Sequence, residues 1–193
     1  MAHDEPDGEL REQLRRSLLG RVPIDEAERA SITRTLAELD RVADLFDQDV
    51  DPVHITGSAI VIGARGVVLL KHKRLGLWLQ PGGHVDAGET PWDGALREAH
   101  EETGLVVRFA ADVDDAGLPA LVHVDVHAGG RGHTHLDLRY LVVAEDADPA
   151  PPDGESQEIG WFDWPTAIER ASDDRLTALL RHLAPSGGLH PVP

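Results

Sequence analysis

The sequence predicts an α/β fold of the α+β kind: a mixed β-sheet sandwiched between helices, with a helical extension at the N-terminus. Three observations carry this reading. Apolar side chains in residues 9–50 recur at helical spacing. From Asp51 the chain changes to short β-branched runs punctuated by glycine and proline. One amphipathic segment, residues 91–103, breaks those runs, and a helical pattern closes the chain, so helices cover a sheet. A length of 193 residues suits one buried core. Residues 1–50 are therefore read as the extension and 51–193 as the main domain.

The elements follow in order. Leu10, Leu14 and Leu18 form a first helical stripe, which Gly20 and Pro23 interrupt. Asp25 with Glu28 resembles a capping box that opens a second helix. Ile32, Leu36, Leu39, Ala43 and Phe46 give that helix one apolar face. The face is expected to pack on the protein's own core; the alternative is a second subunit, which would make a homodimer. Residues 54–63 and 67–72 read as a hairpin around Ala64-Arg65-Gly66. A glycine-rich loop and a short helix follow, Gln80 to Gly104. Residues 105–109, 121–127 and 136–144 read as strands. In the second of these, Val122, Val124 and Val126 alternate with His123, Asp125 and His127, giving one dry face and one polar face. Pro149, Pro151 and Pro152 mark residues 148–154 as loop, and 159–162 is a short strand. Pro165 suits the start of a helix to about Ala171, and a final helix, Asp173 to Leu183, is ended by Pro185 and Gly187-Gly188.

Composition bounds the function. The chain is 41% apolar and 27% charged, as globular proteins are. No apolar run approaches the about 20 residues of a membrane span. The polar, acidic start, Met1 to Gly8, has no secretory pattern. Cysteine is absent, which excludes disulfides, thiolate metal sites and thiol nucleophiles. A cytoplasmic protein is the expectation. The formal net charge of −17 disfavours nucleic acid polymers and anionic membrane surfaces as partners. A phosphate-rich small molecule would need divalent cations between itself and the protein's carboxylates.

Residues 80–105 supply such a place. Thr90 is a good N-cap, Pro91 fits the first helical position, Asp93 sits where a capping acid belongs and Gly104 terminates the helix. Glu98, Glu101 and Glu102 then share one face, because i, i+3 and i+4 lie within about 100° of each other. Trp92, Ala95, Leu96 and Ala99 form the adjoining core face. Three carboxylates in one stripe repel one another unless a cation sits among them, and hard oxygen ligands suit Mg²⁺ or Mn²⁺. A solvated acidic helix face is the bland alternative. Arg97 points elsewhere and can pair with Glu89, pinning the preceding loop. The Pro81-Gly82-Gly83 turn lets backbone approach a ligand closely.

Gly83 to Leu105 resembles the signature of the Nudix hydrolases, Gly-x5-Glu-x7-Arg-Glu-U-x-Glu-Glu-x-Gly-U with U bulky and apolar, and the seven fixed identities agree. Ala99 is smaller than usual at its U position. Trp78 to Gly83 and Glu158 to Phe162 also look like the family's flanking segments, so the resemblance covers residues 54–171. It implies a Nudix fold and metal-dependent hydrolysis of a pyrophosphate bond in a nucleoside diphosphate linked to another group. By position, Glu98, Glu101 and Glu102 would hold Mg²⁺, with Mn²⁺ as a substitute, joined by a carbonyl near Gly83. Glu89 and Arg97 would brace the loop. The general base would be Glu98 first, then Glu158 or Glu155.

Other features are less specific. His123, Asp125, His127, His133, His135 and Asp137 alternate on two strands. They could bind a transition metal, line a substrate pocket or form a solvated face. His84 and His135 are candidate substrate contacts. Arg139 is a candidate phosphate clamp, with a surface ion pair as its alternative. Tyr140 or Trp78 could stack on a base, while Trp92, Trp161 and Trp164 read as core. Pro119 lies near where the ADP-ribose group of the family carries a proline, which weakly favours ADP-ribose or a related nucleotide. The competing reading is a non-catalytic metabolite sensor on the same fold. The intact carboxylates and the lack of a basic recognition helix disfavour it. A diphosphate isomerase would need a cysteine.

Overall fold

The computed structural model describes residues 5–110 and 117–185. Helix α1 (Glu5–Gly20) and helix α2 (Glu26–Arg41) form the extension. The first four residues and Gly187-Gly188 lie outside the described residues. Asp25 caps α2, its carboxylate accepting the Glu28 N–H at 2.8 Å. Glu28 does not close the expected box on Asp25; it accepts the Ile24 N–H at 2.6 Å instead. The helix stops at Arg41, where Val42 turns extended and its N–H closes on the Glu38 carbonyl. Ala43 and Phe46 therefore do not continue the stripe. Val42 and Leu45 are buried in their place, while Ala43 is exposed.

The strands are β1 (Val53–Gly63), β2 (Gly66–Lys71), β3 (Trp78–Leu79), β4 (Gly82–His84), β5 (Val107–Phe109), β6 (Leu121–Ala128), β7 (Thr134–Ala144) and β8 (Ile159–Phe162). The short β4 lies inside the Gln80 to Gly104 segment that reads as loop and helix in the sequence, and β3 lies just before it. The centre is β1 against β7, parallel from Val53↔Thr134 to Ile62↔Val143. The free edge of β1 is shared by β2 at one end and β4 at the other. The far edge of β7 is shared by β6 and β5, and β2 also pairs with β3 and β8. All these pairs are antiparallel, so the sheet is mixed.

Helix α3 (Pro91–Thr103) covers one face, with α1 and α2 beside it. There Leu14, Leu18, Ile32 and Leu39 share a core with Ile55, Ala95, Leu136 and Leu138. The extension's apolar stripe is spent on the chain's own core. Helices α4 (Trp164–Arg170) and α5 (Asp174–Leu183) cover the other face, where Ile60, Val67 and Leu69 meet Leu176, Leu179 and Leu180. No helix among the described residues is long and apolar enough to cross a membrane.

The extension also finishes the sheet. Glu28 accepts the Val124 N–H and Ser31 accepts the Val126 N–H, each at 3.2 Å, so α2 satisfies donors on the outer edge of β6. An edge strand left with open N–H groups invites pairing with other chains. Arg21 donates to Glu28 at 2.8 Å and to the Val122 carbonyl, which neutralises the buried carboxylate.

Candidate active site

Helix α3 is positioned by its own ends and by β1. The Thr90 hydroxyl accepts the Asp93 N–H at 3.2 Å and donates to the Asp93 carboxylate at 2.6 Å. Gly104 ends the helix as a left-handed cap. A Cβ at Gly57 of β1 would lie 2.2 Å from the Pro91 carbonyl, so only glycine lets the first turn of α3 close on the sheet. The apolar face expected of this helix is found: Ala95 and Ala99 are fully buried, with Trp92 and Leu96 packed against the core.

Arg97 ties the helix to the loop before it. Its guanidinium donates to both oxygens of Glu89 at 3.0 Å and to the His84 carbonyl at 2.9 Å. A third arm donates to Glu98 and Glu101, each at 3.0 Å, so Arg97 does not point away from the carboxylate stripe as its helical position suggests. Glu89 in turn accepts the Asp86 N–H at 3.0 Å, which fixes the loop. The hydrogen bonds that Arg97 donates to Glu89 lead a set of carboxylate contacts that raise the Arg97 pKa.

The three stripe carboxylates differ in setting. Glu101 is exposed, while Glu98 and Glu102 are half-buried. Burial pushes Glu102 up to about 7, against the Gly82 N–H that it accepts at 2.9 Å; the charges of Glu98 and Glu155 add to the rise. Burial likewise raises Glu98, against the pull of Arg97. Two half-buried carboxylates that repel each other are what a divalent cation relieves. The missing side chain at Gly83 lets the Glu98 carboxylate close on the backbone: a Cβ there would lie 2.3 Å from a Glu98 oxygen. The side-chain donors here are carboxylate oxygens, which fit a hard ion of the Mg²⁺ type.

The other expected site residues divide. Glu158 does not join the stripe; its side chain is largely exposed and pairs with Lys71 at 3.0 Å. Glu155 is the acid whose charge acts on both Glu98 and Glu102. It borders a cleft of about 550 Å³ with Lys71, His72, Lys73 and Gly76. The charge of Lys73 also reaches Glu102. Sequence spacing alone does not single out this basic edge. The available signal was that Lys71 and Lys73 are the only lysines in a chain of net charge −17. A smaller recess of about 250 Å³ along β5 holds none of these residues.

Arg139 is not a phosphate clamp. It is 2% exposed, with Asp137 at 2.9 Å, Asp125 at 3.2 Å and Asp173 at 3.7 Å. Tyr140 is not a stacking surface; alternation sends it to the opposite face, into the core beside Trp92. The expected polar face of β6 is not wet, since His123 and Asp125 are buried under α5, whose Arg175 bonds Asp125. Burial opposes ionisation of Asp125, but His127, Arg139 and Arg175 outweigh it and hold the carboxyl at about 2. His84 and His135 are half-buried and lie together, with ring centroids 5.2 Å apart, around His54, which the sequence reading did not single out. Burial lowers all three histidine pKa values, His135 to about 4.

A family profile described as NUDIX domain matches residues 52–182. A probable DHNTP pyrophosphohydrolase of Lactococcus lactis is 30% identical over 96 residues, covering 50% of this chain and 57% of the relative. An RNA pyrophosphohydrolase of Brucella ovis is 32% identical over 125 residues, covering 56% of this chain and 70% of the relative. The chain thus spans little more than half of the first relative's length. Among solved structures, a NUDIX family hydrolase from Clostridium perfringens aligns with a TM-score of 0.58 at 25% identity, covering 67% of this chain and 97% of that one. A C. elegans Ap4A hydrolase aligns at 0.53 and 22% identity, covering 66% and 92%, a likeness of fold.

Proposed function

The chain belongs to the NUDIX domain family, and from that premise we propose that it hydrolyses a pyrophosphate bond in a nucleotide-like small molecule. The observation that carries this is the pair of half-buried, like-charged carboxylates Glu98 and Glu102 beside a cleft edged by Lys73. Glu98, Glu101 and Glu102, with the Gly83 carbonyl, would hold Mg²⁺, or Mn²⁺ in its place. A bound ion of this kind supplies charge neutralisation for the pyrophosphate and a water acidic enough to attack it.

The chain's own residues do the rest. Arg97 clamps Glu89 and the His84 carbonyl, which holds Gly83 against Glu98. Arg97 also occupies Glu98 Oε1, so Glu98 Oε2 is the atom that faces either the ion or the attacking water, and it acts as base only where it leaves the ion to Glu101 and Glu102. Glu155 is the second choice of base, in place of Glu158. His72 and Lys73 receive the anionic arm of the substrate in the cleft.

The names of the two curated relatives, DHNTP and RNA pyrophosphohydrolase, support cleavage of a phosphoanhydride. The Brucella relative's name brings RNA into consideration, and the net charge of −17 argues against a polymer. ADP-ribose or a related nucleotide stays the first candidate, on the position of Pro119. The test is phosphate release from ADP-ribose, nucleotide sugars, dinucleoside polyphosphates, nucleoside triphosphates and 5′-triphosphorylated RNA. It is run with Mg²⁺, Mn²⁺ and chelator. Metal-dependent turnover of one class is expected. Tight binding of one nucleotide without turnover would establish the sensor reading instead.

A further inference from the structure

The carboxylates of α3 leave a second group of metal-type donors unused on the opposite face of the sheet. Strand register creates it. His54 on β1 is the direct partner of His135 on β7, and Thr56, two residues along β1, is the partner of His84 on β4. Side chains alternate strictly along strands, so these partners point to one face. Three neighbouring strands thus converge three imidazoles. The ring centroid of His54 lies 5.1 Å from that of His84 and 5.0 Å from that of His135. One ring nitrogen from each residue lies within 4.8 Å of the others.

His54 shows which way the group is set. The residue is 0% exposed. Its Nδ1 lies 3.1 Å from the Asp51 carbonyl. A carbonyl only accepts, so Nδ1 carries the proton and Nε2 presents its lone pair. That Nε2 is buried and has no hydrogen-bond partner. An imidazole whose Nδ1–H is held by a backbone carbonyl is the usual arrangement of a metal-ligating histidine.

We propose that His54 Nε2, His84 and His135 form a binding site for a divalent transition metal ion of the Zn²⁺ class, separate from the carboxylate stripe. The donor chemistry separates the two sites: imidazole nitrogen suits Zn²⁺ and its neighbours, whereas the oxygens around Glu98 and Glu102 suit Mg²⁺. A tetrahedral ion at about 2.0–2.1 Å from each nitrogen draws its ligands to about 3.3 Å from one another. His54 is fixed by burial, so His84 and His135, which are half-buried, turn toward it. The fourth position falls to water or to His133, whose ring centroid is 5.1 Å from that of His54. Strand β4 joins the two sites. Its Gly83 abuts Glu98 while the next side chain, His84, reaches the histidine group. An ion there braces β4 from behind.

The test uses the full chain stripped of metal, then titrated with Zn²⁺ in excess Mg²⁺ so that the carboxylates stay occupied. Calorimetry is expected to show one tight equivalent of Zn²⁺. The Co²⁺-loaded protein is expected to show the intense visible absorption of a low-coordinate nitrogen site. The thermal unfolding midpoint is expected to rise with Zn²⁺ added over Mg²⁺. His84→Gln and His135→Gln should each weaken Zn²⁺ binding at least about 100-fold, beyond what loss of an outer partner costs, with far-ultraviolet circular dichroism unchanged. Glu102→Gln should retain the equivalent. No Zn²⁺ bound by the wild-type chain overturns the proposal. So does equal binding by the histidine variants, or loss of Zn²⁺ in Glu102→Gln alone.

Discussion

Glu102 and Asp125 are both acids drawn out of water, and they end at opposite extremes. Glu102 is pushed up to about 7, because burial is reinforced by Glu98 and Glu155 and opposed chiefly by one N–H. Asp125 is held at about 2, because His127, Arg139 and Arg175 together outweigh the same burial. Each carboxylate sits on one side of the same sheet. The difference separates unfinished from finished electrostatics. Around Asp125 the chain supplies its own cations, although Arg139 Nη1 and His123 Nδ1 are buried without a hydrogen-bond partner. Around Glu102 burial and like charges outweigh the Gly82 N–H and the charge of Lys73, so a divalent cation is the natural counter-charge.

The largest expected effect breaks the finished side. Arg139→Met leaves Asp125 and Asp137 buried without their central cation and should cost about 3–5 kcal/mol of stability in urea unfolding. A loss under 1 kcal/mol would show that Arg175 alone suffices. Next, Glu102→Gln removes a ligand from the unfinished side. It should lower turnover at saturating Mg²⁺ by about 100-fold or more while the unfolding midpoint stays close to wild type. A near-normal rate would remove Glu102 from the site.

The third effect concerns pH. Burial first, then Arg139, lowers His123 to about 4, against Glu28, Asp125 and Asp137, which favour its charge. Between pH 6.5 and 4 the unfolded chain takes up a proton that the folded chain refuses, so stability falls as pH falls through that window. The contribution is roughly 2–3 kcal/mol. Asp125 acts lower: its stabilisation is present above the ordinary aspartate range and is lost as pH falls toward 2. His123→Gln should flatten the pH 4–6.5 decline in denaturant midpoints relative to wild type. The smallest effect sharpens the role of the cleft. Lys73→Ala should raise KM by about tenfold with less change in kcat, as loss of an exposed phosphate contact does.

The two regions were also unequally legible in the sequence. Helix α3, its caps, its core face and the Arg97–Glu89 clamp all rest on residues close in the chain, where spacing determines geometry. The polar row of β6 and β7 was visible as alternation, but alternation does not say what covers a face. Burial under α5 converts Arg139 from a candidate clamp into a structural cation and places Tyr140 in the core. His54 escaped notice because its partners, His84 and His135, are brought to it only by β1's pairing with β4 and β7. The Asp25 cap was legible as a local signal, but Glu28 accepts the Ile24 N–H rather than closing the expected box. The Glu28 bond to Val124, 96 residues away, was not legible. Ala43 and Phe46 fitted the helical period, yet the helix ended before them because Val42 could be buried in an extended turn.

The central proposal, that the carboxylates of α3 hold a divalent cation, is tested most directly by Mn²⁺ binding. Electron paramagnetic resonance would follow free Mn²⁺ during titration of the wild-type chain and of Glu102→Gln. The account predicts saturable binding to the wild type, competed by Mg²⁺, and a large loss of affinity in the variant. Equal binding by both chains, or no binding by either, would contradict it.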